Sequence, residues 1–246
     1  MKCILICAGY ATRLFPLTEN FPKALLEVGG RPILDYILDQ VNLINEVDGI
    51  YLVTNAKYTP HFEEWATKKN NIKPIKVLND GTTSNSDRLG AIGDIQYTIE
   101  NENIDEDIMV IAGDNLFTFD LKGAFEFYNE KKAPTVCVKK ESNIELLKRV
   151  GVANLDENMK IIDFEEKPAD PKGDYVVYAE YFYPREILKE FKIYLDEGYS
   201  NDAPGNFVKY IYKKVPTYGY AFEGECYDVG THDALAEVNE IYSKNK

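Results

Sequence analysis

The sequence predicts a three-layer α/β domain: a mainly parallel mixed sheet with helices on both faces, followed by a strand-rich second lobe. Three observations predict it. Short apolar runs alternate with helical periodicity through the first half, the pattern of a parallel sheet covered on both faces. The second half is instead dense in short strand-like runs. Unusual polar loops close three first-half elements, and in such sheets ligands lie beyond the carboxyl ends of the strands.

In order, KCILICA (residues 2–8) reads as a strand and RPILDYILDQVNLINE (31–46) as a helix with Pro32 in its first turn. GIYLVTN (49–55) is a strand, TPHFEEWATKKN (59–70) a helix and PIKVLN (74–79) a strand. SDRLGAIGDIQYTIEN (86–101) has helical spacing, and DIMVIAGDN (107–115) is a buried strand with a polar tip. APTVCVKK (133–140), RVGVANLD (149–156) and KIIDFEEKP (160–168) are strands, the last two joined by a turn at ENM (157–159). DYVVYAEYFYP (174–184) is another, followed by helical stretches near 185–197 and 206–215. TYGYAFEGECYDVG (217–230) suggests a final strand pair, and THDALAEVNEIYSK (231–244) a helix N-capped by Thr231. No repeat or Pro/Ser-rich linker interrupts the chain, so one domain over 1–246 is expected, with halves of about 1–133 and about 134–246.

Composition narrows the partners. There are 41 acidic against 28 basic residues, a net charge of −13, and such a surface repels nucleic acid. A small phosphorylated substrate stays compatible, because a local cluster of Lys, Arg and metal overrides the mean field. The opening MKCILICAG lacks a signal-peptide pattern, and no apolar run approaches the roughly 20 residues that span a bilayer, so no membrane partner and a cytoplasmic location are expected. Cys3 and Cys7 share a strand face but lie about 13 Å apart at ~3.3 Å per residue, too far for a disulfide. With Cys137 and Cys226 they read as reduced thiols, and neither His61 nor His232 stands near a cysteine at zinc-ligand spacing.

The stretch CAGYATRLFPLTENFPK (7–23) follows the first strand directly. Gly9 allows close backbone approach to an anion, while Arg13 and Lys23 supply charge-assisted donors, so the loop reads as a phosphate cradle. The whole string resembles the signature of the sugar-1-phosphate nucleotidyltransferases, Ala-Ala-Gly-x-Gly-Thr-Arg-Leu-x-Pro-Leu-Thr followed by Pro-Lys. AGDN (112–115), FEEKP (164–168) and YDVGTHDAL (227–235) resemble further marks of that family in the expected order.

The resemblance implies a Rossmann-like, glycosyltransferase-A-like fold and transfer of a nucleotide from an NTP to a sugar 1-phosphate, with Mg²⁺ as cofactor. By it, Ala8, Gly9, Tyr10, Ala11 and Thr12 wrap the triphosphate, Arg13 binds and activates it, and Lys23 contacts the transferring phosphate. Asp114 and Asp228 correspond to metal ligands, Glu166 to a residue holding sugar hydroxyls, Lys167 to one on the sugar phosphate, and Gly151 to backbone facing a hexose. Asp202, Gly205 and Tyr181 are candidates on the acceptor side.

Three departures qualify the match, one being YSNDAPGNF (199–207), which lacks the arginine that some family members place before the following helix for the sugar phosphate. Ala11 replaces the second loop glycine, which costs energy if that backbone needs positive φ. In the base pocket, Asn79 and Gly81 partly replace the usual glutamine and glycine, and Arg88 falls where a small residue is usual. Arg88 reads either as a helix-face cation or as a reader of a phosphate or carbonyl edge. UTP or dTTP with a hexose 1-phosphate is the first expectation. A phosphocholine cytidylyltransferase using CTP and a non-catalytic nucleotide-sugar sensor stay open, as does a homo-oligomer.

Overall fold

The computed structural model describes residues 1–69 and 73–244. The strands are β1 Lys2–Ile6, β2 Glu27–Val28, β3 Arg31–Pro32, β4 Gly49–Thr54, β5 Ile75–Asn79, β6 Ile108–Ala112, β7 Asn115–Phe117, β8 Thr135–Lys140, β9 Gly151–Leu155, β10 Ile161–Glu166, β11 Tyr175–Tyr183, β12 Tyr218–Ala221 and β13 Cys226–Asp228. The helices are α1 Ile33–Asn42, α2 Thr59–Thr67, α3 Gly90–Asn101, α4 Leu121–Lys131, α5 Ile144–Leu147, α6 Leu188–Asp196, α7 Pro204–Ile211 and α8 His232–Lys244.

The main sheet runs β10-β9-β11-β6-β1-β4-β5, with β8 also against β11 and β12 beyond it. β5, β4, β1 and β6 are parallel, as the alternation requires; β11, β9 and β10 are antiparallel additions from the second half. Cys3 and Leu5 of β1 point to one face and Ile4 to the other, all fully buried. The first face packs on α1, α2, α4 and α8, the second on α3, α6 and α7, which makes the three layers. In α1 the spacing of Ile33, Leu34, Ile37, Leu38 and Val41 puts one apolar stripe against the sheet.

β11 ties the halves together. Along one edge its beginning, Tyr175–Val177, pairs with β9 and its end, Glu180–Tyr183, with β6; along the other it pairs with β8 on both sides of a register shift between Val177 and Tyr181. An irregularity there bends the strand and opens a gap between β9 and β6.

Several element boundaries differ from the sequence reading. The helix expected from residue 86 begins at Gly90, because Asp87 turns back to accept from the Thr83 and Ser84 amides and holds 83–87 as a loop. The helix expected from Arg31 begins after Pro32, which is its N-cap. The helix expected over 59–70 is observed as α2; residue 70 lies outside the described residues. The final strand pair is two strands that do not pair with each other: β12 joins β8 and β13 joins β7. Helix α4 went unpredicted, although Asp120 caps it by accepting from the Lys122 amide and Leu121, Ala124, Phe125 and Tyr128 form its buried stripe. Thr231 caps α8 as expected, its hydroxyl accepting from the Ala234 amide at 3.2 Å. All four cysteines are unpaired.

Candidate active site

The neighbours of β1 diverge at its carboxyl end, β4 on one side and β6 on the other, and the crevice between such strands is where open α/β sheets hold ligands. The loop after β1 is braced from below. Tyr58 donates to the Thr18 carbonyl at 2.7 Å, the Thr18 hydroxyl donates to the Ala11 carbonyl at 2.8 Å, and a His232 ring nitrogen lies 2.9 Å from the Phe15 carbonyl. Ala11 sits at φ 45°, so the left-handed conformation that favours glycine is present here in an alanine. A methyl group at Gly9 would meet nothing within 4 Å, which leaves its backbone open to a ligand. Pro22 is extended and caps a single 3₁₀ turn, Lys23–Leu25, that turns Lys23 inward. The two prolines in this loop thus belong to a rigid connection that aims a lysine.

Lys23 Nζ lies 2.7 Å from Asp114 Oδ2 and 3.3 Å from Asp228 Oδ1. Antiparallel pairing of β13 with β7 sets Asp228 opposite Asn115 and so beside Asp114. Burial works against the Lys23 ammonium, and the two carboxylates more than offset it, so its pKa lies above the ordinary lysine value. Gly113 makes this approach feasible, because a methyl group there would stand 2.3 Å from the Cys7 sulfur. Gly230 does the same for Arg13, whose Nη2 would lie 2.9 Å from such a methyl. Two carboxylates, both partly exposed, form an oxygen donor set that fits Mg²⁺, which takes few protein ligands and completes its shell with phosphate and water. No cluster of three or more metal-ligand side chains occurs among the described residues.

Three adjoining hollows surround this cluster. The first, about 160 Å³, lies under the loop and is lined by Gly9, Ala11, Arg13, Lys23 and Asp114. The second, about 320 Å³, includes Ala8, Gly9, Arg88, Asp202, Asp114 and Asp228. The third, about 210 Å³, is bounded by Gly151, Glu166, Lys167, Gly205 and Asp228. The gap left by the bend in β11 joins the last two, since Ala179 lines both. A wider groove of about 760 Å³ between α3 and α6 shares no residue with them.

The structure therefore brings together most of the residues singled out in the sequence, and sets some aside. Arg88 is not on a helix face. It lies in the loop before α3, 41% exposed, with its guanidinium 3.0 Å from Asp202 across the mouth of the second hollow. Asn79 and Gly81 form a turn in which the Asn79 side chain accepts from the Gly81 amide, and neither lines these hollows. Tyr10 is buried against Tyr58, and Thr12, itself exposed, begins a 3₁₀ turn that ends on buried Leu14. Tyr181 lines the third hollow at only 3% exposure, stacked on Tyr183, so it is wall rather than contact. Lys167 takes φ 48°, a strained conformation held by the hydrogen bond that its backbone N–H donates to the Val150 carbonyl. Burial raises the Glu166 carboxyl above the usual range against the pull of Lys167 and Lys209.

Two acids escaped the sequence reading. Asp94, 3% exposed on α3, lines the second hollow; burial first, and Asp80 second, push its carboxyl up to about 8. Asp94 Oδ1 and Asp80 Oδ2 are both buried without a hydrogen-bond partner among the described residues. Glu180, fully buried in β11, is pushed up to about 8 by burial and accepts from Asn115 Nδ2 at 3.4 Å. An acid inside an apolar helix stripe, as in AIGDIQ, was the available signal for the first.

An open-backbone loop after β1, a carboxylate pair on a buried lysine and a split cleft place the candidate site of this α/β protein at the carboxyl ends of its parallel strands. Residues 2–245 match the nucleotidyl transferase family, and the chain belongs to it. It is 32% identical over 241 residues to the bifunctional protein GlmU of Methanocaldococcus jannaschii, covering 98% of this chain and 54% of that protein. It is 29% identical over 274 residues to a glucose-1-phosphate adenylyltransferase of Clostridium novyi, covering 100% of this chain and 70% of the relative. The chain thus spans little more than half the length of the first of these. In fold it is similar to a UDP-glucose pyrophosphorylase complexed with UDP-glucose, with a TM-score of 0.83 at 22% identity over 100% of this chain and 99% of the other. A UTP-bound UGPase from Acinetobacter baumannii superposes with a TM-score of 0.80 at 17% identity, over 100% and 94%.

Proposed function

We propose that the protein transfers a nucleotidyl group from an NTP to a sugar 1-phosphate, releasing pyrophosphate. The observation that carries this reading is the Lys23 ammonium between Asp114 and Asp228, in the same hollow as the open backbone at Gly9. An acceptor phosphate oxygen bonds to the α-phosphorus while the bond from that phosphorus to the bridging β-oxygen breaks, and pyrophosphate leaves with the electron pair. The attacking phosphate is already anionic, so no base need remove a proton. The chain's own work is positioning and charge neutralisation. Arg13 and the loop amides hold the triphosphate, Lys23 faces the charge that develops at the α-phosphate, and Glu166 with Gly151 orients the acceptor's hydroxyls. Mg²⁺ held by Asp114 and Asp228 would neutralise phosphate charge at the same place.

Glu166 and Lys167 favour a hydroxylated, phosphorylated acceptor over phosphocholine, whose trimethylammonium would meet a lysine. Retention of Arg13, Lys23, Asp114 and Asp228 together supports catalysis over sensing. The finer reading is UTP or dTTP with a hexose 1-phosphate; ATP is the competitor, given the adenylyltransferase among the relatives. Pyrophosphate release from a panel of NTPs against sugar 1-phosphates and phosphocholine tests both levels. Release with a sugar 1-phosphate is expected. None with any pair would overturn the reaction, and a preference for ATP or GTP would overturn the base.

A further inference from the structure

On the outer side of α7, away from the cleft, lies a cavity of about 490 Å³, within the size range of small-molecule sites. Its wall is aromatic. Tyr194 and Tyr199 stack at 5.0 Å, with Tyr210 edge-on to both. Tyr199 is 52% exposed, so a large aromatic surface is left uncovered. Its rim is cationic: Lys209, Lys213 and Lys214 line it against one carboxylate, Glu197. Lys214 is taken up by Glu190 at 2.9 Å, whereas Lys209 and Lys213 have no carboxylate partner among the described residues. In a chain of net charge −13, unpaired ammonium groups beside an open aromatic face suit an anion that carries a planar ring.

We propose that this cavity binds an aromatic anion, a nucleotide by chemical class, and that its occupation acts on the acceptor side of the cleft through α7. One face of that helix, Asn206, Lys209 and Tyr210, with Lys213 just beyond its end, meets the cavity. Its first turn meets the cleft, where a methyl at Gly205 would stand 2.5 Å from Glu166 Oε2. Lys209 also exerts a long-range pull on the Glu166 carboxyl, after burial and Lys167 in weight, and an anion in the cavity would screen that pull. The binding site stands on its own; the effect on the acceptor rests on the nucleotidyltransfer reading.

Calorimetric titration with UDP tests the site, with Lys23→Ala used to silence the cleft. Two binding events per chain are expected in the parent protein and one in Lys23→Ala. Lys213→Ala and Tyr199→Ala, both surface changes with unchanged circular dichroism, should each weaken the remaining event about tenfold, as loss of one charge-assisted or stacking contact implies. Inorganic phosphate should compete at least tenfold more weakly than UDP. A single event abolished by Lys23→Ala, a second event indifferent to both surface changes, or equal competition by phosphate would overturn the site. In kinetics, UDP should change the acceptor KM several-fold in the parent more than in Lys213→Ala, with basal turnover alike in both. Identical responses would overturn the coupling. If no acceptor reacts at all, the titration still reads the site, so the two failures stay distinguishable.

Discussion

Lys23 Nζ stands 2.7 Å from Asp114 Oδ2, a contact that joins the loop after the first strand to the tip of the fourth parallel strand. Because Asp228 shares the same ammonium, one cation bridges the two carboxylates. We predict that Asp114→Asn or Asp228→Asn lowers turnover by about 100-fold or more, the scale of losing well-placed transition-state electrostatics. Added Mg²⁺ should recover part of the loss. Thermal stability should change little, since Lys23 keeps one partner in either variant. Near-parental turnover in both at modest Mg²⁺ would remove the two-aspartate site.

Asp94 should make stability fall as pH rises from the acidic into the neutral range. Its native carboxyl is pushed up to about 8, from an unfolded value near 4. Between those pH values the native state holds a proton that the unfolded chain has released, so this contribution is full below about pH 4 and is lost as pH rises to about 8. Asp94→Asn keeps the neutral shape without the titration. Its Tm advantage over the parent should grow from pH 4 to pH 8 and then level off. A gap that does not vary with pH in melts at pH 5, 7 and 8.5 would refute the buried neutral acid.

Gly113 and Cys7 form a steric pair. Gly113→Ala should destabilise by about 1–3 kcal/mol, the usual range for overpacking, because the new methyl meets the Cys7 sulfur. Adding Cys7→Ala should return much of that loss, which denaturant melts of the four proteins in the cycle would show. Simple additivity would place the strain elsewhere. Activity should survive Cys3→Ala, since that thiol lies in the core away from the cleft.

Ala11→Gly should stabilise the protein by up to about 1 kcal/mol, since a left-handed alanine costs roughly 1–2 kcal/mol and glycine returns part of that as unfolded-chain entropy. The loop's path, fixed by the Thr18 and Tyr58 bonds, should not change, nor should the KM for NTP. A Tm below the parent's would contradict this.

Arg88→Ala separates two roles for that side chain. If the guanidinium reads the base, the ratio of activities across the NTP panel should shift; we expect that shift, because Arg88 lines the cleft. An unchanged ratio would assign Arg88 to the contact with Asp202 alone.

Much of this was legible in the sequence for a physical reason. The run from Cys7 to Lys23 is local, so its glycine, arginine, prolines and lysine predict a loop cradle without knowledge of the rest of the chain. Asp114 and Asp228 were legible only through the resemblance of AGDN and YDVGTHDAL to family marks, and that they meet on Lys23 depends on β7 pairing with β13, a contact that no local pattern encodes. Arg88 was misplaced on a helix because its spacing fits one, while Asp87 stabilises the competing turn with side-chain bonds that periodicity does not register. Asp94 was passed over because burial, which makes it distinctive, is a property of the packed sheet.

The shared strand β11 also has a bearing on biosynthesis. Every parallel strand of the first half has left the ribosome by Ala112, yet the free edge of β6 is sealed only when Glu180–Tyr183 emerge. In the interval the nascent chain carries a naked apolar strand edge, the kind of surface that invites pairing with another chain. A fragment ending at residue 133 should therefore aggregate rather than fold as a nucleotide-binding unit, and light scattering of that fragment, alone and with the remaining segment added in trans, would show whether β11 supplies the missing seal.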